Sequence, residues 1–233
     1  MSNTNTVFES AEFYETETKF DKKLIEYRYL TVKKYLKGSS CLELGPGSGV
    51  MTGLLQHDFE KMLVVDGSQS VLNNIPQSDK VETSLCLFEE LKLDITFDTI
   101  VIEHVLEHLE DPIKLLTTVK QWMHKETILC LGVPNANSIH RLVAVEMGSL
   151  QSIKTLNARD LRFGHQRVYD EKEFHDHIKL AGLSIIEAGG VFLKPLSNGQ
   201  INEGWTEDMW DGFYEAGKKF SKNCAELYAI CKL

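Results

Sequence analysis

The sequence predicts an α/β protein with a mostly parallel, seven-stranded sheet and helices on both faces. Short apolar runs alternate with helix-compatible segments, which is typical of βαβ units. The first run ends at Leu44 and leads into a glycine-rich stretch, residues 45–49. The second run ends in an acid, Asp66. Because ligands of such folds lie across the carboxyl ends of the strands, we expect a binding site there.

Each element has its own local signal. The predicted helices include residues 20–36, 112 to about 124, and 170–180. Asp111-Pro112 suits the start of a helix, and Gly38 and Gly182 suit the residues that follow one. The predicted strands are residues 41–44, 61–66, 81–87, 97–102, 126–133, 184–188 and 226–232. The alternation pauses after the fifth strand, so residues 135–169 are predicted to form an inserted cap.

Composition argues against several classes of function. A formal net charge of −9 argues against a general nucleic-acid or anionic-membrane surface, because such surfaces need clustered Lys and Arg. The five cysteines lack C-x-x-C spacing and are predicted to be reduced. The N-terminus has no signal-like apolar region, and no run of about 18 apolar residues occurs. We expect a cytoplasmic protein without nucleic-acid or membrane partners. An aromatic cluster at residues 205–214 fits either the core or a homodimer contact.

The glycine-rich stretch alone does not identify its ligand. The dinucleotide pattern G-x-G-x-x-G fails, because Val50 stands where the third glycine is expected. This disfavours an NAD-dependent oxidoreductase, and no Gly-Lys-Ser or Gly-Lys-Thr of a P-loop follows. Asp66 lies 21 positions after Gly45, close to the spacing of about 20 for a carboxylate that accepts hydrogen bonds from ribose hydroxyls. The spacing therefore favours a ligand that contains a nucleoside.

Three motifs together resemble those of class I S-adenosylmethionine-dependent methyltransferases. They are E-x-G-x-G-x-G over residues 43–49, Asp66 at the end of strand two, and the segment FDTIVIEHVLEHLEDP over residues 97–112. The last is similar to a segment of ubiquinone- and menaquinone-type and other small-molecule methyltransferases. The resemblance covers roughly residues 20–233. It implies a Rossmann-like, doubly wound fold, S-adenosylmethionine as cofactor and S-adenosylhomocysteine as product.

The resemblance also implies where the cofactor binds. The glycine-rich turn would hold the methionine and ribose, Asp66 the ribose hydroxyls, and the residues after strand four would border the methyl group. The implied cofactor-binding residues are Glu43, Gly45, Pro46, Gly47, Gly49, Asp66, Gly67, Ser68, Leu87, Phe88, Glu103 and His104. Residues 1–36 would be an N-terminal arm and helix covering this site, and residues 37–233 the methyltransferase domain.

The segment His104-Val-Leu-Glu107-His108 permits more than one interpretation. It matches the zinc-hydrolase pattern H-x-x-E-H, but it follows a strand and stops at Asp111-Pro112, which leaves too short a helix. We therefore expect no metal. One alternative comes from the resemblance: ubiquinone-biosynthesis O-methyltransferases can carry an E-x-x-E-H cluster here, which would make His104, Glu107 and His108 ligands of a divalent ion. His104 is also the candidate general base, or a group that only positions the substrate.

The insertion at residues 135–169 carries the candidate acceptor-binding groups. Arginine pairs with carboxylate or phosphate through two parallel hydrogen bonds, so its arginines predict a clamp for an anionic part of the acceptor. A surface salt bridge is the alternative for some of them. The predicted acceptor-binding residues are Asn135, His140, Arg141, His165, Arg167 and Tyr169, of which His140 and His165 are also catalytic candidates.

These observations together predict an enzyme. It would transfer a methyl group from S-adenosylmethionine to an oxygen or nitrogen atom of a small polar, anionic metabolite or biosynthetic intermediate. The alternative from another class is a non-catalytic cofactor-binding or regulatory protein on the same fold.

Overall fold

The computed structural model describes residues 18–201 and 204–233, so the predicted arm at residues 1–17 lies outside the described residues. Seven strands form one sheet in the order β3-β2-β1-β4-β5-β7-β6. The strands are β1 (Ser40–Leu44), β2 (Lys61–Asp66), β3 (Val81–Leu85), β4 (Phe97–Glu103), β5 (Met123–Pro134), β6 (Ser184–Val191) and β7 (Glu226–Lys232). β1 to β5 pair in parallel, and β7 runs antiparallel between β5 and β6. The predicted α/β fold with a mostly parallel, doubly wound sheet is confirmed.

Helices cover both faces of the sheet. They are α1 (Lys19–Lys33), α2 (Val50–Leu55), α3 (Gln69–Leu72), α4 (Pro112–Val119), α5 (Ile139–Glu146), α6 (Ala158–Arg162), α7 (Glu171–Leu180), α8 (Asn198–Ile201) and α9 (Glu207–Gly217). Three short 3-10 turns lie at Leu106–His108, Lys120–Trp122 and Ser221–Asn223. The Asp111 and Asp170 side chains cap α4 and α7, as their positions in the sequence predict. None of the described helices is long and apolar enough to cross a membrane.

The alternation of side chains along the strands divides the core into two layers. Leu42 and Ile100 belong to the cluster that also contains buried residues of α4 and α7. Cys41 and Val101, their neighbours along β1 and β4, belong to the cluster that contains buried residues of α1 and α2. Because side chains of a strand point alternately to its two faces, each central strand is buried on both sides. This explains why these strands are nearly continuous apolar runs.

The fifth strand begins earlier than its apolar run predicts. α4 ends at Val119 rather than near residue 124, and β5 starts at Met123 rather than at residue 126. Met123 pairs with Phe97, but the next pair joins Thr99 to Ile128, so the register shifts between them. The polar residues 124–126 fall within this irregularity. An apolar pattern cannot predict a strand segment whose residues do not alternate.

Two insertions and the first helix form a cap over one edge of the sheet. The predicted insertion after β5 contains α5 and α6. A second insertion, residues 192–225, joins β6 to β7 and contains α8 and α9; the sequence did not predict it. Phe20 and Tyr27 of α1 pack with Phe192 and Trp210 of this second insertion. Trp210 therefore belongs to a core cluster of the chain itself.

Truncating Trp210 should test how much this cap contributes to stability. Trp210 is only 1% exposed, so Trp210→Ala should lower the free energy of unfolding by about 3–5 kcal/mol through lost burial and a residual cavity. Urea unfolding followed by circular dichroism measures the change. Met209→Ala, at a 40% exposed residue of the same helix, is the matched control and should change stability by about 0.5 kcal/mol or less. Equal losses in both variants would contradict the packing described here.

Candidate active site

The candidate site lies at the edge of the sheet where the parallel strands end. The residues at this edge are Leu44, Asp66, Glu103, Pro134 and Val191, which end β1, β2, β4, β5 and β6, and Glu226, which begins β7. β1 and β4 are neighbours in the sheet although they are not consecutive in the chain. Such a change of direction in strand order opens a crevice at the carboxyl ends of the strands.

The glycine-rich turn after β1 has a backbone that other residues adopt only with strain. Gly45 has a φ of 72° and Gly49 a φ of 78°. A Cβ atom at Gly45 would lie 2.4 Å from Cγ2 of Val105, which means that the segment after β4 packs directly against the turn. The hydroxyl of Ser48 is buried and has no hydrogen-bond partner among the described residues. The turn therefore presents bare backbone and an unpaired hydroxyl at the edge of the sheet.

Asp66 and Phe88 lie on the β2 and β3 side of this turn. Oδ1 of Asp66 accepts a hydrogen bond of 2.8 Å from the backbone N–H of Ser68. Burial raises the pKa of Asp66 to about 6, although this hydrogen bond acts in the opposite direction. Cζ of Phe88 would lie 3.8 Å from a Cβ atom at Gly45, so its ring is beside the turn. An acid and an aromatic ring thus flank the turn, which suits a ribose and an adenine.

Glu43 fixes the helix that follows the turn. Its carboxylate is 2% exposed and accepts a hydrogen bond of 2.7 Å from Oγ1 of Thr52 in α2. Its pKa is raised to about 7, and burial is the largest cause. The bond from Thr52 lowers that pKa, whereas burial and Glu103 raise it. Glu43 therefore ties β1 to α2 and holds the turn between them.

A buried ionic network joins α1, the end of β4 and the start of β7. Glu226 lies 3.2 Å from Nε of Arg28 through one carboxylate oxygen and 2.8 Å from Nε2 of His104 through the other. Arg28 also lies 3.7 Å from Glu103, and Nδ1 of His104 lies 3.3 Å from Glu107. His104 has a φ of 55°, unusual for a residue with a side chain. The network holds this strained residue in place.

Burial and charge act against each other within this network. Burial raises the pKa of Glu103 to about 7 even though Arg28 and His104 lower it. Burial also favours the uncharged form of His104, but Glu226 and Glu107 outweigh it and the pKa of His104 is raised. Burial of Glu226 is in turn outweighed by Arg28 and His104, which lower its pKa. His104 thus carries its proton to higher pH than an ordinary histidine.

The structure brings a different set of potential metal ligands together from the one in the sequence motif. Three potential ligand atoms lie within 4.8 Å of one another, one from each of Glu107, His108 and His165. Glu107 is fully buried, and neither carboxylate oxygen has a hydrogen-bond partner among the described residues. Burial lowers the pKa of His108 and of His165 to about 4, so both rings are neutral at pH 7. His165 takes the place that the sequence hypothesis gave to His104, and three ligands of this kind fit a divalent ion.

The arginines predicted to clamp the acceptor have other partners in the structure. Arg141 is 5% exposed; it lies 3.0 Å from Asp160 and donates to the backbone carbonyls of Ile153 and Thr155. Arg167 donates to the carbonyls of Leu106, Leu109 and Glu110, which follow β4. These donors are therefore occupied by the protein itself. Arg141 shapes the insertion and Arg167 holds the loop after β4, which corrects the predicted clamp.

Two further predicted acceptor residues also have structural partners. The side chain of Asn135 donates to the carbonyls of Lys222 and Cys224 and accepts from the N–H of Asn137. Tyr169 is fully buried, and its hydroxyl lies 3.2 Å from Nδ1 of His177. The isolated bridge between Asn135 and Tyr169 joins the two ends of the insertion. Both side chains therefore hold the insertion in place.

His140 and His165 differ from the other predicted acceptor residues. Nδ1 of each ring is buried and has no hydrogen-bond partner among the described residues. Burial, together with the nearby charges of Lys194 and Arg141, lowers the pKa of His140 to about 2. Both rings are therefore neutral at pH 7. Nδ1 of His165 lies 3.6 Å from Oδ1 of Asp160, whereas Nδ1 of His140 has no such neighbour among the described ion pairs.

Sequence reasoning did not identify several residues of the site. Glu226 looks like an ordinary strand residue, and Thr52 looks like a helix residue. Lys194 lies in the second insertion, which the sequence did not predict. Only the pairing of β7 between β5 and β6 brings Glu226 to the carboxyl edge. The sequence offered a signal for Lys194 alone, because the segment GG-x-F-L-K-P-L-S-N at residues 189–198 is similar to one in the methyltransferases that the chain resembles.

The sheet order, the glycine turn and Asp66 define the class: this is a class I S-adenosylmethionine-dependent methyltransferase. The sequence matches the family described as "Methyltransferase domain" over residues 18–188. The chain belongs to this family. No match is found among curated proteins.

Solved structures with the same fold have low sequence identity to the chain. The N-methyltransferase NodS from Bradyrhizobium japonicum WM9, in complex with S-adenosyl-L-homocysteine, is 15% identical with a TM-score of 0.61, and the match covers 98% of each chain. A S-adenosylmethionine-dependent methyltransferase from Mesorhizobium loti is 13% identical with a TM-score of 0.62, covering 90% of this chain and 100% of the other. A structure of a Haloferax volcanii complex between the Trm112 methyltransferase activator and a methyltransferase contains a chain that is 17% identical to this one, with a TM-score of 0.61. The match covers 91% of this chain and 92% of the other.

A side chain at Gly45 should impair the turn. Gly45→Ala forces an L-residue into positive φ and places Cβ against Val105, so binding of S-adenosylhomocysteine should weaken by at least about tenfold. Isothermal titration calorimetry measures the affinity. Gly53→Ala is the matched control, because a Cβ there meets only Pro76 at an ordinary 3.5 Å. Unchanged binding by Gly45→Ala would contradict the proposed role of the turn.

Metal analysis can decide whether the group of Glu107, His108 and His165 holds an ion. We expect no stoichiometric divalent metal, because Nδ1 of His104 lies 3.3 Å from Glu107 and competes with an ion for this carboxylate. Elemental analysis of protein purified without chelator, and thermal unfolding with and without EDTA, measure this. One equivalent of metal that disappears in His165→Ala but not in the control His175→Ala would overturn the expectation.

Proposed function

We propose that this enzyme transfers the methyl group of S-adenosylmethionine to an oxygen or nitrogen atom of a small polar, anionic metabolite or biosynthetic intermediate. One observation carries the proposal: the glycine turn and Asp66 meet at the carboxyl edge of the sheet, beneath a cap. In this proposal the turn at residues 45–49 holds the methionine and ribose, Asp66 with Gly67 and Ser68 the ribose hydroxyls, and Leu87 and Phe88 the adenine. Glu103 and His104 border the methyl group.

The charge of the site supports a cationic cofactor. Four buried carboxyl groups, those of Glu43, Glu103, Glu107 and Glu226, lie in or next to a network whose fixed cation is Arg28. Glu43 and Glu103, with pKa values of about 7, are partly ionised at pH 7. When bound, S-adenosylmethionine supplies an electrophilic methyl group on a positively charged sulfonium. Surplus carboxylates stabilise such a charge in a site of low dielectric constant.

The cap supports a small acceptor. Asp21 of α1 lies 2.9 Å from Arg159 of α6 and 2.9 Å from Nδ2 of Asn198 in α8. These bonds join three segments that are distant in the sequence. A cap tied together at this point favours a small molecule over the surface of a macromolecule as the acceptor.

The histidines suggest how the acceptor is oriented. The raised pKa of His104 works against a general base, which must be neutral to take a proton, and favours a positioning role. His140 is neutral and its Nδ1 has no hydrogen-bond partner among the described residues, so this ring can hydrogen-bond the acceptor, donating through Nδ1–H or accepting at Nδ1 according to its tautomer. Because methyl transfer is an in-line attack, alignment of the acceptor provides much of the rate.

Substitution of Asp66 tests the cofactor site. Asp66→Ala should weaken S-adenosylhomocysteine binding by at least about tenfold, because charged hydrogen bonds to the ribose hydroxyls are lost. Calorimetric titration measures the dissociation constant. Asp94→Ala makes the same charge change at an exposed residue and should bind like the wild type. The cofactor assignment fails if the wild type does not bind, or if both variants bind equally well.

Transfer of label separates an enzyme from a protein that only binds the cofactor. S-adenosylmethionine with a radiolabelled methyl group, incubated with the protein and a fractionated metabolite extract, should label an anionic small-molecule fraction. Binding of S-adenosylhomocysteine without label in any fraction would favour the non-catalytic alternative.

The cytoplasmic location and the absence of nucleic-acid and membrane partners remain predictions. The five cysteines are free, as expected for a reducing compartment.

A further inference from the structure

Lys194 occupies a position that the mechanism above does not use. It follows the carboxyl end of β6 by three residues, at the same edge as Glu226, with which Val191 pairs. The turn between them is fixed, because the carbonyl of Phe192 accepts a hydrogen bond of 2.7 Å from Ala225 and the N–H of Leu193 donates to Phe213. Phe192 has a φ of 62°, in the left-handed region. This rigid turn delivers Lys194 to the interior, where it is 7% exposed.

The ammonium group of Lys194 has few partners for a buried charge. It donates a hydrogen bond to Oδ1 of Asn198 and lies 4.9 Å from the centre of the Phe20 ring. Both partners are neutral, whereas an ammonium group has three N–H donors. Among the ion pairs of residues 18–201 and 204–233, none includes Lys194.

The acids around Lys194 are already paired with other cations. Asp21 pairs with Arg159. Glu226 pairs with Arg28 and His104. Burial, and after it the charge of Arg159, lower the pKa of Lys194 to about 8, although Asp21 and Glu226 act in the opposite direction. At pH 7 most molecules therefore hold an ammonium group without a carboxylate of its own.

His140 is a second polar group near this position. It belongs to α5, which begins five residues after the carboxyl end of β5. Lys194 is, after burial, the largest influence on the pKa of His140, so the two side chains are close enough to interact. Nδ1 of His140 is buried without a hydrogen-bond partner among the described residues. Two insertions thus place a buried cation and an unpaired imidazole at one side of the carboxyl edge.

We propose that Lys194, assisted by His140, binds a carboxylate or phosphate group of the methyl acceptor. This inference rests on the proposed function and deepens it, because it names the residue that recognises an anionic acceptor. An anion there would occupy the unused donors of the ammonium group and neutralise its charge. Lysine suits either anion, because it acts as a point charge without the fixed geometry of arginine. Lys194 would then be a specificity-determining residue, replacing the arginine clamp predicted from the sequence.

Binding of simple anions tests the proposal without knowledge of the acceptor. Sodium phosphate and sodium acetate are titrated separately, at constant ionic strength, into protein saturated with S-adenosylhomocysteine, and binding is followed by calorimetry. We expect saturable binding of at least one anion, and the tighter of the two indicates the acceptor group. Lys194→Met should weaken this binding by at least about tenfold, whereas Lys194→Arg, which keeps the charge, should retain most of it. Acetate binding should also weaken as the pH rises through about 8.

Lys154→Met is the matched control. Lys154 is 45% exposed on its side chain and pairs with Asp170 and Glu173, so its removal should leave anion binding unchanged. Thermal unfolding verifies that each variant is folded. The proposal is overturned if neither anion binds to the loaded wild type, or if Lys194→Met and Lys194→Arg bind equally. Failure of S-adenosylhomocysteine itself to bind would instead overturn the proposed function.

Discussion

The site depends on how Glu226 is stabilised in the interior. A buried carboxylate is costly unless cations and hydrogen bonds compensate it, and Glu226 has two cations, Arg28 and His104. These residues come from α1, from the start of β7 and from the loop after β4. One carboxylate therefore fixes the first helix, the last strand and the loop nearest the glycine turn relative to one another. The reversed direction of β7 is essential, because it brings the start of that strand to the edge where the other strands end.

The two halves of the edge are built for different tasks. Around β1, β2 and β3, the turn and Asp66 offer backbone, one acid and an aromatic ring. On the side of β5, β6 and β7, two insertions bring histidines and Lys194 to the edge. The cap that joins these insertions to α1 is held by Asp21, which bonds both Arg159 and Asn198. In the proposed function, the general fold binds the cofactor on one side, and the inserted segments select the acceptor on the other.

The sequence predicted the sheet, the glycine turn and the position of Asp66 at the carboxyl edge because the signals there are local. Apolar runs predict buried strands, and the glycines predict the turn wherever the rest of the chain goes. The hydrogen-bond partners of the charged residues around the inserted segments were predicted less well, for a physical reason. Arg141 and Arg167 stand out as charges, but only the folded chain shows that backbone carbonyls and Asp160 use their donors. Glu226 and Lys194 acquire their roles from strand pairing, which sequence spacing does not reveal.

A crystal structure with S-adenosylhomocysteine bound tests the central claim most directly, namely that the carboxyl edge holds the cofactor with its sulfur towards the capped side. We predict ribose hydroxyls on the Asp66 carboxylate, the homocysteine part against residues 45–49, and the sulfur near Glu103 and His104 on the side of Lys194. A ligand bound elsewhere, or one whose sulfur lies on the side of β3 and away from the cap, would contradict it.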